Sequence, residues 1–235
     1  MIEIIMLLSF MFLIYVFFYK QTINEYSINQ IEFTNISTKL QDLLYDKIPT
    51  IIRNAPIANC VLPSTFMNTQ RFKKVLEDYL TEKDINLPKS SQFESFIANE
   101  SGFQVFSEHS WLSYLQINVL SKYTSSLKTK ISFGSHPLVS TTAIYTILIP
   151  IKGEFTCSLI NNEFTKYLPK IPTVTIEDIS KSVQYIDVLL KPTTLIILPP
   201  HWHYIMNETL PYSYYASIEY HEPISLLMNY LEKKE

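Results

Sequence analysis

The chain has 235 residues with 47 % apolar side chains, long enough for one large β domain with a real core. A net charge of -3 with no basic run argues against general nucleic-acid binding, and three glycines cannot readily supply a Gly-rich phosphate loop or a nucleophile elbow. Cys60 and Cys157 are too few for a disulfide framework.

Ile4 to Tyr19 is almost wholly apolar, with Ser9 its one small polar side chain. With Met1, Ile2 and the stem of Lys20, residues 1–20 reach the length of about 20 residues that a membrane span needs. Tyr15, Tyr19 and Lys20 suit an interfacial end. A cleaved signal peptide would need a basic start and a small-residue cleavage site. Here the start carries Glu3, and Phe17, Phe18 and Tyr19 crowd the far end. The expectation is therefore a single-pass anchor in contact with the bilayer, its orientation unresolved.

Gln21 to Glu32 is polar without clear periodicity and reads as a connector. Ile36, Leu40, Leu43 and Leu44 recur at helical spacing, with Asn35 or Ser37 as a candidate cap. Lys47 to Arg53 reads as a short strand. Phe72, Val75, Leu76, Tyr79 and Leu80 form a second amphipathic stripe. Trp111 to Tyr123 fits a helix or a strand. From Ile131 the pattern becomes β. Ala143 to Ile151 is an Ile- and Tyr-rich run, and Lys152-Gly153 predicts a tight hairpin turn into the alternating Phe155, Cys157 and Leu159. Val183 to Leu190, Leu195 to Leu198, Trp202 to Met206 and Tyr214 to Tyr220 read as further strands. Pro223 suits the first position of a final helix over 224–234, with Ile224, Leu227, Met228 and Leu231 on one face. The order gives an α+β chain: a helical part over about 33–125, then a β-barrel or jelly roll over about 131–222.

Four segments in order carry a resemblance. They are Lys47-Ile-Pro-Thr-Ile-Ile-Arg-Asn-Ala-Pro56, Ile131-Ser-Phe-Gly134, Ile147-Leu-Ile-Pro-Ile-Lys-Gly153, and Leu190 to Tyr204 with its Pro199-Pro200-His201-Trp202-His203-Tyr204 corner. Together they resemble the cupin-like and JmjC-like double-stranded β-helix domains, over about residues 33–235. That resemblance implies a barrel which, in the catalytic members, holds Fe(II) with a His-x-Asp pair and a distant His and takes 2-oxoglutarate. Matched onto this chain, the pair falls at Ser140 and Thr142 and the distant His at Tyr204. Hydroxyls of Ser and Thr cannot replace imidazole and carboxylate.

The implied expectation is a domain without metal catalysis, acting as a structural or binding module. Its vestigial pocket would be formed by Ser140, Thr142, Tyr145, Trp202 and Tyr204, with no cofactor and with a protein partner on the barrel. The aromatic corner is similar to a form found in membrane-anchored proteins of large nucleocytoplasmic DNA viruses. The alternative is an Fe(II) and 2-oxoglutarate dependent hydroxylase with displaced ligands His136, His203 and His221. Strand alternation places His201 and His203 on the face opposite Trp202 and Tyr204, and a one-residue slip would reverse this. Outside that alternative set, His109 and His136 read as lone loop residues, and Cys157 as an inert core thiol.

Overall fold

The computed structural model describes residues 2–21, 27–55, 91–105, 107–108, 124–169, 173–179 and 182–232. Cys60, the stripe from Phe72 to Leu80, His109 and the segment Trp111–Tyr123 lie outside them.

Helix α1 spans Ile2–Lys20, and Tyr19 is its one buried residue. It is long and apolar enough to cross a membrane, with a mean hydropathy of 2.3 over 18 residues. A signal sequence would pass the same test.

Strand β1 (Asn29–Glu32) is followed by a short 3-10 turn (Phe33–Asn35), helix α2 (Ile36–Tyr45) and strand β2 (Thr50–Arg53). The two strands pair in parallel, which requires the crossover that α2 provides. The connector read over 21–32 therefore ends in an edge strand. Its polar Asn-Gln-Ile-Glu composition hides that role, because an edge strand carries little apolar signal. The spacing of Ile36, Leu40 and Leu44 is indeed that of the buried face of α2, although Asn35 makes no side-chain capping bond. Helix α3 (Ser91–Glu100) follows among the described residues.

Eight strands then form the barrel: β3 (Ser126–Phe133), β4 (His136–Ser140), β5 (Tyr145–Lys152), β6 (Phe155–Ile160), β7 (Ile186–Leu190), β8 (Leu195–Leu198), β9 (His203–Glu208) and β10 (Tyr214–His221). They divide into a six-stranded sheet of order β1-β2-β8-β5-β10-β3 and a four-stranded sheet of order β4-β9-β6-β7. From β3 to β10 the chain passes between the sheets at every turn except β6 to β7. This winding is the double-stranded β-helix, so the domain is a cupin-like β-sandwich of antiparallel strands preceded by helices. Helix α4 (Pro223–Glu232) closes the described chain, with Pro at its first position.

Two hydrophobic layers result. Leu40, Leu44, Ile97 and Phe103 pack on the outer face of the six-stranded sheet, against Ile131, Ile147, Ile149, Ile197 and Ile218. Its inner face meets the four-stranded sheet, where Leu148, Ile196, Leu198 and Tyr215 pack with Phe155, Cys157, Leu159, Trp202, Tyr204 and Met206. Strand β5 is buried on both faces and so reads as a continuous apolar run.

Several sequence expectations change. Lys152-Gly153 does not close a hairpin, because β5 and β6 lie in different sheets. Gly153 makes the corner at φ +80°, and a Cβ there would meet Ser213 Oγ at 1.9 Å. Lys191 to Thr194 is likewise an inter-sheet corner. The barrel begins at Ser126 rather than Ile131, since β3 opens as a polar edge strand. His136 starts strand β4 instead of lying in a loop, and a register shift between His136 and Val139 accommodates Pro137. On α4, Ile224 is buried and Met228 half-buried, but Leu227 is exposed.

Candidate functional site at the barrel mouth

Strand β10 connects the dry interior to a polar mouth. Its inward positions are Tyr215, Ser217, Glu219 and His221, and its other face is apolar Tyr214, Ala216, Ile218 and Tyr220. Tyr215 is fully buried and packs edge-to-face on Phe155, with ring centroids 5.2 Å apart. Further along the strand, Glu219 binds Lys130 of β3 at 2.5 Å and His221 Nε2 at 3.3 Å. Lys130 lies directly opposite Ser217, which places it diagonally across from Glu219 on the same face. Burial would raise the Glu219 carboxyl, but the hydrogen bond to His221 and the charge of Lys130 outweigh it and hold Glu219 down at about 2. His221 Nδ1 in turn meets Ser225 Oγ at 3.2 Å.

Helix α3 and the residues after it close one side. Gln104 serves the exposed edge of β3: its amide donates to Leu127 O at 2.7 Å, and its Oε1 accepts from the Thr129 N–H at 3.0 Å and hydroxyl at 2.6 Å. Glu94 is buried and stands 3.4 Å from His136 Nε2. Together these elements bound a cavity of about 660 Å³ lined by Ser95, Asn99, Gln104, Lys128, Lys130 and Glu219, with His221, Val139, Ser140 and Thr142 completing the wall. Donors and acceptors dominate it, which suits a small hydrogen-bonding ligand.

The five residues expected to form one pocket are not brought together. Ser140 and Thr142 border the mouth cavity. Tyr145 faces a separate cavity of about 410 Å³ beside α1 and stacks on Tyr220 at 5.9 Å. Trp202 and Tyr204 are core residues between the sheets. Burial drives the Tyr204 hydroxyl well above its ordinary range. The tight feature at the Pro-Pro corner is Thr141, the residue between the two expected ones. Its Oγ1 lies 2.8 Å from Pro199 O and 2.9 Å from Trp202 O, and accepts from the Trp202 N–H at 2.9 Å. The corner itself holds His201 at φ +67°.

The three histidines of the alternative ligand set are held apart. His203 points away from the interior, and its Nε2 meets Thr165 Oγ1 at 2.7 Å. Burial and the nearby His201 lower His203 to about 4. His136 pairs with Glu94, and His221 with Glu219 and Ser225. Among the described residues, no three His, Cys, Asp or Glu side chains gather as an ion would need. These donors do not fit a shared iron. Cys157 is fully buried in β6, and burial pushes its thiol up, which disfavours the thiolate that a nucleophile needs.

Sequence reasoning missed Lys130, Glu219, Gln104 and Glu94. One signal was present: Ser217, Glu219 and His221 put polar groups at alternate positions of an otherwise apolar strand.

Comparison of the sequence with known families and with curated proteins finds no match. Among solved structures, the chain is similar to RmlC from Streptococcus suis in complex with dTDP-D-xylose, at 8 % identity and a TM-score of 0.28. The similarity covers 47 % of this chain and 52 % of that one, about half the length of each. The fold assignment rests on the strand order given above.

Proposed function

We propose that this protein is a membrane-anchored binding module, built on a cupin-like barrel that performs no metal catalysis. One observation carries this reading: the mouth cavity is walled by Lys130, Glu219, Gln104 and Asn99, while the histidines that could hold iron each serve a separate partner. Its occupant would be a small polar ligand, or a polar side chain of a protein partner, recognised by hydrogen bonds and by the cations of Lys128 and Lys130. The anchor reading is supported by Tyr19, which is buried and donates its hydroxyl to Thr142 O at 2.6 Å. A chain cleaved after α1 would lose that contact. The sequence resemblance to anchored proteins of large DNA viruses implies a virus particle or infected-cell membrane as the setting.

The test is metal content by mass spectrometry on the full chain in lipid nanodiscs, after exposure to iron, zinc or manganese. The expected result is no stoichiometric ion. One ion per chain, lost in His203→Ala, would overturn the proposal and favour the 2-oxoglutarate dependent hydroxylase.

A further inference from the structure

The outward face of α4 is apolar where a solvated helix would be polar. Ile224 and Ser225 are buried, whereas Leu226, Leu227 and Tyr230 are 36 %, 41 % and 58 % exposed. At 100° per residue these three share a stripe opposite the buried side. The position of α4 says what covers that stripe. It packs beside α1, and Glu222, the residue before it, accepts a hydrogen bond from Tyr15. Tyr15 lies five residues before the end of α1, about 7–8 Å along its axis. The whole of α1 is about 28 Å long, close to the hydrocarbon thickness of a bilayer. A span over α1 therefore sets the start of α4 about 7–8 Å to the acyl side of the headgroup boundary, within the depth that the apolar face of an interfacial helix reaches.

The end of α1 fixes this arrangement. Lys47 Nζ donates to the carbonyls of Phe18 and of Gln21, the latter at 2.7 Å, and so caps the helix C-terminus. The Tyr19 ring packs edge-on against His201 at 5.0 Å. Four contacts thus join α1 to the domain through Glu222, Thr142, Lys47 and His201. Swinging α4 away from α1 would break these contacts.

We infer that α4 is an interfacial helix, which lays Leu226, Leu227 and Tyr230 into the bilayer surface and seats the barrel against the membrane. This rests on the proposal that α1 spans the membrane.

The test uses the full chain with Cys60→Ser in nanodiscs of phosphatidylcholine and phosphatidylglycerol, carrying a spin label at one cysteine. Cys157 is buried and does not take the label. Leu227→Cys and, as a second position, Tyr230→Cys report on the stripe. Leu189→Cys, on an exposed strand position of the barrel, is the aqueous control, and Leu8→Cys reports on the span. The expected result is relaxation by oxygen exceeding relaxation by a water-soluble nickel chelate at 227, 230 and 8, with the reverse at 189. Nickel access at 227 and 230 equal to that at 189, with Leu8→Cys still lipid-exposed, would overturn the interfacial helix alone. Protection from both reagents would also overturn it, by showing a protein covering the stripe. Nickel access at Leu8→Cys would overturn the membrane span and the inference together.

Discussion

The two ends of the barrel interior are built from the same pair of sheets and solve opposite problems. Toward one end, Phe155, Tyr215 and Met206 pack between the sheets, and Tyr204 and Trp202 carry that apolar packing on toward the other. Toward the other, the same strand β10 turns to Glu219 and His221, and the Glu219–Lys130 pair lines a polar cavity. The contrast separates residues that hold the fold from residues free to recognise something. It also removes Trp202 and Tyr204 from the second group.

The largest effect should come from the filled end. Tyr215→Ala leaves a large void under Phe155, and the expected loss of stability is about 3–5 kcal/mol in urea unfolding. A loss below about 1 kcal/mol would mean that this end is as plastic as the mouth. Next comes the corner that lets the chain change sheets. Gly153→Ala forces a Cβ onto Ser213 at positive φ and should cost about 2–3 kcal/mol, with part recovered when Ser213→Gly is added. Thermal melts of the single and double variants measure that recovery, and its absence would assign the whole cost to φ.

At the mouth, Glu219→Gln strips Lys130 of its counter-charge. Because the pair retains some solvent exposure, the expected cost is about 1–2 kcal/mol. The carboxyl is held below its unfolded value, so its stabilisation is full above about pH 4.5 and is lost as pH falls toward 2. The acid unfolding limb of Glu219→Gln should be flatter in that window. A second pH-dependent effect lies on the outer face of the barrel, at His203. A histidine held neutral at a depressed value stabilises fully above its unfolded value of about 6.5 and loses that contribution as pH falls toward 4. Replacing it in His203→Asn should flatten the stability drop across that interval. An unchanged slope would show that His203 is solvated, with Thr165 no longer covering it.

Much of the architecture was legible in the residues. Alternation marked β6, the apolar runs marked β5 and β8, and Pro223 marked the start of α4, because those signals depend on local periodicity and backbone chemistry. The strands that escaped, β1, the first half of β3 and β4, are edges whose polar or half-buried side chains carry little such signal. The candidate site was less legible. The resemblance points to Ser140 and Thr142, which border the cavity, but Lys130 and Gln104 come from segments before the β pattern that opens at Ile131. Their roles exist only where α3, β3 and β10 converge.

By itself, then, the sequence determined the apolar span of α1, the switch to β structure, and the Pro-Pro aromatic corner. Each of these is written within a few consecutive residues. The tertiary structure alone decided that Lys152-Gly153 is a corner between sheets, that Tyr204 fills the core while His203 faces Thr165, and that Glu219 meets Lys130 across 89 positions of chain. Local periodicity says which face of a strand is apolar. Only the pairing of distant strands decides what that face touches.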